Sequence, residues 1–179
     1  MLEDVKKVLV SEEDIIEKSK ELGAIISKDY DGKVPVIIGL LKGSVPFMAE
    51  LIKYITIDCE LEFMAVASYV GTQSVGDVRI LKDLDSSIRD RYVLVVEDIV
   101  DTGKTLSKVR DLLYSKGAKD VKIVTLLNKP NHRIVEIEPD YVAFTIPDEF
   151  VIGYGLDYNQ RFRNLPFVGV LKEECYEGE

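Results

Sequence analysis

The chain has 179 residues, 46% hydrophobic and 31% charged, with 23 Lys plus Arg against 32 Asp plus Glu and a formal net charge of −9. That length and apolar share suit one domain, residues 1–179, with a buried core, rather than two domains or a disordered tail. The acidic balance runs against a diffuse basic surface for DNA or RNA but leaves room for a local basic pocket that takes a small anionic substrate.

Met1 to Lys7 carries acidic residues and neither an apolar core nor a small-residue cleavage site, so no signal or transit peptide is expected. No apolar run approaches the roughly 18 to 20 residues of a membrane helix, and a cytoplasmic protein without a membrane partner is expected. Ser11 followed by Asp14, with Ile15, Leu22, Ile25 and Ile26 at helical spacing, predicts an N-capped helix ending before Asp29. Val34 to Leu41 is an unbroken apolar run of the kind buried on both faces of a sheet, and Phe47, Leu51 and Tyr54 recur behind it at helical spacing. Leu61 to Ala67 reads as a strand, whereas polar, glycine-containing Gly71 to Asp77 has no periodicity and is expected to be a mobile loop. Tyr92 to Val96 predicts a short buried strand. Leu106, Val109, Leu112 and Leu113 stripe a helix that Gly117 ends. Val121 to Leu127, Tyr141 to Ile146 and Val151 to Tyr154 complete an alternating pattern, which points to an α/β fold with a mostly parallel central sheet flanked by helices. Cys59 and Cys175 lack a second cysteine or a histidine nearby and read as two reduced thiols rather than a zinc site or a disulfide.

The chemistry concentrates in Val93 to Thr105, where an apolar strand runs into Glu97 and Asp98 and then a small polar turn, Asp101-Thr102-Gly103-Lys104-Thr105, that opens a helix. Backbone N–H groups of Thr102 to Thr105 at a helix start would converge on a phosphate, with the two threonine hydroxyls as further donors and Gly103 permitting close approach. Glu97 and Asp98 stand at the carboxyl end of the strand, where open α/β sheets place ligands, and can accept hydrogen bonds from sugar hydroxyls. Gly103-Lys104-Thr105 invites an ATPase reading, but a P-loop needs glycine five residues before Gly103, where Asp98 stands.

Strand, Glu-Asp, two apolar residues and Asp-Thr-Gly-Lys-Thr together resemble the phosphoribosyl-diphosphate signature of type I phosphoribosyltransferases. Leu41-Lys42-Gly43-Ser44, Ser68-Tyr69 and the segment Asp148 to Tyr158 resemble the hypoxanthine-guanine branch, in that family's order and over most of the chain. The resemblance implies the family's fold, with a small hood and a mobile loop opened by Ser68 and Tyr69 that covers the site. It implies transfer of the phosphoribosyl group from 5-phosphoribosyl 1-diphosphate to hypoxanthine or guanine, through an oxocarbenium-like transition state that is stabilised by charge and shielded from water. Asp101 is then the general acid/base facing the imidazole nitrogen of the purine. Glu97, Asp98, Thr102, Gly103, Lys104 and Thr105 hold the phosphoribosyl substrate, Lys42 and Gly43 bind its diphosphate, and the Leu41–Lys42 bond is often cis in the family. Arg163 matches an arginine on the diphosphate, which a forked guanidinium suits.

Lys129 matches the lysine that selects a 6-oxo over a 6-amino purine, Phe150 stacks on the base and the Val151 backbone reads its edge. Asp157 matches a carboxylate at the base site that shares Mg2+ with Glu97 and Asp98, an ion that needs only one or two protein carboxylates. Glu149 departs from the pattern, standing where relatives often carry lysine. The single histidine, His132, lies in the solvent-type turn Pro130-Asn131-His132-Arg133 and is given no catalytic role. Family members usually associate, so a homodimer or homotetramer is expected. Two alternatives stay open: preference for xanthine, and a regulator that uses the same fold to bind RNA, against which the acidic charge argues.

Overall fold

The computed structural model describes residues 1–68 and 78–176. The chain begins with β1 (Val5–Val10) and α1 (Glu12–Asp29), followed by β2 (Val36–Leu40), α2 (Val45–Leu51) and β3 (Glu60–Ser68). The second half holds β4 (Val78–Lys82), β5 (Tyr92–Val100), α3 (Lys104–Ser115), β6 (Asp120–Asn128), β7 (Tyr141–Thr145), β8 (Val151–Ile152) and β9 (Val168–Leu171). Ser11 caps α1 as its spacing predicts, its Oγ accepting from Asp14 N–H at 3.1 Å and donating to Asp14 Oδ2 at 2.8 Å. The expected loop at Gly71 to Asp77, and Tyr69 with it, lie outside the described residues. Among the described residues, no helix is long and apolar enough to cross a membrane.

Six strands form the main sheet in the order β4-β3-β2-β5-β6-β7, parallel except for β4 at one edge. Both faces are covered, which explains the unbroken apolar strands. Ile37, Leu94, Val96 and Val124 meet α1 and α2, and Ile38, Val93, Val95 and Ile123 meet Leu106, Val109 and Leu113 of α3. A second, antiparallel sheet, β1-β9-β8, supplies the small hood. Its Val10, Val151, Val168 and Val170 join the same core as α1 and α2.

Several elements depart from the sequence reading, β4 and β9 among them, which no expected strand covers. β5 does not stop at Val96 but carries Glu97 and Asp98 within the strand, because β6 continues beside it, pairing Glu97 with Thr125 and Val100 with Asn128. The segment Val151 to Tyr154 yields only a two-residue strand, and that strand pairs with β9 in the hood, not with the main sheet. The charged N-terminus forms β1, whose Lys6 and Lys7 are exposed while Val10 is buried.

Strand order locates the site. After β2 the chain moves to β3 and β4 on one side, then returns to β5 on the other, so the loops beyond the neighbours β2 and β5 diverge and open a crevice at their carboxyl ends. Gly39 pairs with Val96, which brings the residues that follow each strand to the same level.

Candidate active site

A cavity of about 260 Å³ occupies that crevice, lined by Leu40 and Leu41 at the end of β2, Val66 of β3, Glu97, Ile99 and Val100 of β5, and Asp101, Thr102, Gly103, Thr105 and Leu106 around the start of α3. Gly103 precedes α3 in the left-handed conformation, φ 79°, and a Cβ there would lie 2.5 Å from Ile137 Cγ2. Thr102, Gly103, Thr105 and Leu106 of this helix start line the cavity. The Lys104 N–H leans towards Thr102 Oγ1 at 3.4 Å, so Thr102 is an acceptor as well as a donor, and the Lys104 side chain is exposed rather than part of the lining.

The Leu41–Lys42 peptide bond is cis. Beyond it Gly43 is wedged between two walls. A Cβ there would meet Asp98 Oδ2 at 1.6 Å, and one on Gly155 would meet the Gly43 carbonyl at 1.9 Å. Asp98 Oδ1 accepts from the Ile99 N–H at 2.8 Å, and Glu97 Oε1 from the Asp98 N–H at 3.2 Å. Burial pushes the Glu97 carboxyl well above the usual carboxylate range, and the neighbouring Asp98 charge adds to it. Burial raises Asp98 too, against the opposing pull of its bonds to Glu97 and Ile99 and of the Arg163 charge. Two half-buried carboxyl groups side by side call for a proton or a cation between them.

A second group lies beyond Gly43. Arg163 donates from Nη1 to the Gly155 carbonyl at 2.7 Å and pairs through Nη2 with Asp157 Oδ1 at 2.7 Å. Lys42 Nζ and Arg163 Nη2 both approach Gln160 Oε1 at 3.4 Å, and Asp157 Oδ2 accepts from the Gln160 N–H at 2.9 Å. Lys42, Asp157 and Arg163 are thus brought together, with Arg163 and Asp157 holding one another. Gln160, which the sequence reading passed over, joins them because Asn159, Gln160 and Phe162 adopt positive φ and fold the loop back.

The third group follows β6. Lys129 is only 8% exposed, and its Nζ lies 3.5 Å from Asp148 Oδ1, two residues before Phe150. Phe150 is 40% exposed. Tyr176 stacks on it at 5.0 Å between centroids and 23° between planes, and Tyr158 meets it edge-on at 5.7 Å. Val151 is buried in β8, and Glu149 is committed to Lys7 of the hood at 2.8 Å. Ser68 ends β3.

His132, given no catalytic role on its solvent-type turn, contacts Asp101. Its Nδ1 lies 2.5 Å from Asp101 Oδ1. Arg133, also passed over, donates from Nη1 to the Asp101 carbonyl at 2.6 Å and from Nη2 to Asn128 Oδ1. A histidine in a polar turn carries no local sign of a partner 31 residues earlier.

The chain matches the phosphoribosyl transferase domain family over residues 8–159. It is 60% identical over 173 residues to the hypoxanthine-guanine phosphoribosyltransferase of Lactococcus lactis, covering 96% of this chain and 94% of that protein. With the enzyme of the same name from Streptococcus pneumoniae, identity is 57% over 178 residues, 98% of this chain and 99% of the relative. A crystal structure of a hypoxanthine phosphoribosyltransferase from Staphylococcus aureus superposes with a TM-score of 0.95 at 52% identity, covering 98% and 96% of the two chains. A family match over most of its length, and relatives more than half identical nearly end to end, show that the chain belongs to the type I phosphoribosyltransferase family, in its hypoxanthine-guanine branch.

Proposed function

We propose that the chain transfers the 5-phosphoribosyl group from 5-phosphoribosyl 1-diphosphate to hypoxanthine or guanine, giving IMP or GMP and diphosphate in purine salvage. The observation that carries this reading is the meeting, in one crevice, of the helix start after Gly103, the Asp101 carboxylate and the half-buried Glu97, with Asp98 beside it.

Thr102, Gly103, Lys104 and Thr105 hold the 5′-phosphate through backbone N–H groups and hydroxyls, which the helix start favours electrostatically. Glu97 and Asp98 take the ribose hydroxyls. Lys42, the Gly43 backbone and Arg163 receive the diphosphate, a role supported by two cations converging on the Gln160 amide oxygen. Asp101 accepts the proton that the purine loses from its imidazole ring as the bond to the sugar forms. Lys129, at the end of β6, donates to a 6-oxo group and would meet a competing donor in adenine. Phe150 stacks on the base while the Val151 backbone reads its edge.

The residues also fit Mg2+. Among the described residues no cluster of three or more His, Cys, Asp or Glu forms a cage, but Mg2+ keeps most of its water and takes few protein carboxylates. Glu97, Asp98 and Asp157 would hold it as hard oxygen donors, and a cation relieves the same repulsion in the carboxyl pair that a proton does. When bound, the ion neutralises charge on the departing diphosphate. Cytoplasmic residence and assembly as a homodimer or homotetramer belong to the same proposal, and light scattering on the purified protein reads the assembly.

The test is nucleotide formation, followed by chromatography, with purified protein, Mg2+ and 5-phosphoribosyl 1-diphosphate against hypoxanthine, guanine, xanthine, adenine and uracil. IMP or GMP is the expected product. Turnover of xanthine alone would reassign the base pocket around Lys129, and no turnover with any base would overturn the reading.

A further inference from the structure

We propose that His132, the chain's single histidine, is the positioning partner of Asp101. This rests on the reading above, in which Asp101 takes the proton from the imidazole ring of the purine.

Backbone bonds fix the contact on both sides. The chain leaving β6 is tied to the end of β5 by the Lys129 N–H on the Val100 carbonyl at 3.0 Å. Five residues later it is tied again, by Ile134 and Val135 N–H groups on the Thr102 carbonyl at 3.0 and 3.3 Å. Between these ties Pro130–His132 makes one tight 3-10 turn, closed by the His132 N–H on the Lys129 carbonyl at 3.2 Å. That frame sets the imidazole against Asp101, Nδ1 to Oδ1 at 2.5 Å, a short contact for a nitrogen–oxygen hydrogen bond.

The charged groups around Asp101 leave the imidazole as the partner of its carboxylate. Arg133, the nearest fixed cation, is spent on the Asp101 carbonyl, on Asn128 and, at 3.7 Å, on Glu138. Glu97 lines the same cavity, and Lys104 on the following turn is exposed. The His132 side chain is 48% exposed and that of Asp101 42%. Bound substrates would cover Asp101 from the cavity side, while the imidazole sits outside the lining and keeps its second nitrogen for water.

In the forward reaction, purine N9 forms the bond to the anomeric carbon as the carbon–oxygen bond to diphosphate breaks, its electron pair leaving with diphosphate. The proton on N7 passes to the Asp101 carboxylate. The Nδ1–H of the imidazole, donating to Oδ1, holds the carboxylate so that Oδ2 takes that proton, and the carboxylic acid gives it to water once the product leaves. Asp101 is restored as a carboxylate, and no other reactant is needed. The reverse reaction runs the same route inward.

Three variants test this, His132→Ala, His132→Gln and Asp101→Asn, read in single turnover so that slow product release does not hide the chemical step. His132→Ala should slow that step about ten-fold without changing the apparent affinity for 5-phosphoribosyl 1-diphosphate. Free imidazole should restore its rate in proportion to concentration, and acetate should not. His132→Gln, whose amide N–H can donate to Asp101 Oδ1 in place of Nδ1–H, should recover part of the lost rate. An unchanged rate in His132→Ala, a slow His132→Ala that ignores imidazole, or a His132→Gln no faster than His132→Ala would each overturn the inference. If Asp101→Asn keeps the wild-type rate, the assignment of Asp101 itself falls; if it is slow while His132→Ala is not, only the role of His132 falls. A readout independent of activity uses the imidazole 15N resonances, which need no assignment in a chain with one histidine. Loss of the Asp101 carboxylate in Asp101→Ala should move the Nδ1 resonance more than that of Nε2, and no movement would refute the contact.

Discussion

Gly43→Ala tests how tightly packing sets the carboxylate of Asp98. The added Cβ would lie 1.6 Å from Asp98 Oδ2, where ordinary contact begins at 3.4 Å, so the carboxylate must retreat by the difference, about 1.8 Å. The Gly43 backbone cannot move away instead, because its carbonyl already rests against Gly155, where a Cβ would find it at 1.9 Å. Asp98 in turn would have to leave the Ile99 N–H it now holds at 2.8 Å. A misplacement of about 1 Å at a reacting centre can cost on the order of 10²-fold, so kcat/KM for 5-phosphoribosyl 1-diphosphate should fall at least that far. The assay is initial rates with that substrate varied, on protein whose thermal melt stays cooperative. If the loss runs through Asp98, Gly43→Ala combined with Asp98→Ala should be no slower than Asp98→Ala alone, since alanine there leaves room for the new methyl. An unchanged kcat/KM in Gly43→Ala, or losses that multiply in the double variant, would refute the reasoning.

Glu97→Gln should stabilise the metal-free protein in a pH-dependent way. Because the folded-state carboxyl is raised above its unfolded value, the native state binds the extra proton and wild-type stability falls as pH rises through that window. Melts in EDTA should then show the Gln variant above wild type at pH 8 and the gap closing towards pH 4; a gap that widens on acidification would contradict the sign. Lys129→Ala should raise KM for hypoxanthine far more than KM for 5-phosphoribosyl 1-diphosphate, and equal losses in the two would remove Lys129 from the base site. Ser11→Ala removes the cap of α1 and should cost about 1 kcal/mol, or about 2 to 4 °C in Tm for a chain of this size. Its kinetics should be those of wild type, and a matching fall in activity would contradict a purely structural role for the cap.

Much of this was legible locally. The capping serine and the 3.6-residue stripe of α1 carry their own start and spacing, and β2 shows itself as an apolar run because both of its faces are covered. The phosphate turn is legible too, since its pieces are consecutive. What escaped reading depends on partners distant in sequence. β5 continues through Glu97 and Asp98 because β6 holds it in register, overriding the poor strand propensity of acidic residues. β1 exposes Lys6 and Lys7 and gains its strand conformation from β9, more than 150 residues later, where Val10 meets Val168. Arg163 meets Asp157 across a loop of left-handed residues whose turn no periodicity announces. His132 finds Asp101 because β5 and β6 are neighbours, a fact of topology and not of local composition.

The pairing of Arg163 with Asp157 sets a threshold for what can enter. An unpaired guanidinium would attract any passing chloride or monovalent phosphate, whereas this one already has a carboxylate at 2.7 Å and a carbonyl at the same distance. An incoming anion has to compete with that internal ligand, and a singly charged one offers no electrostatic gain over the carboxylate it would displace. A polyanion offers more, and a divalent ion bound to it would give the released Asp157 a new partner. The arginine is therefore occupied until a competitor carrying several charges arrives, a form of selectivity by exchange that discounts abundant small anions without needing a shaped pocket to exclude them.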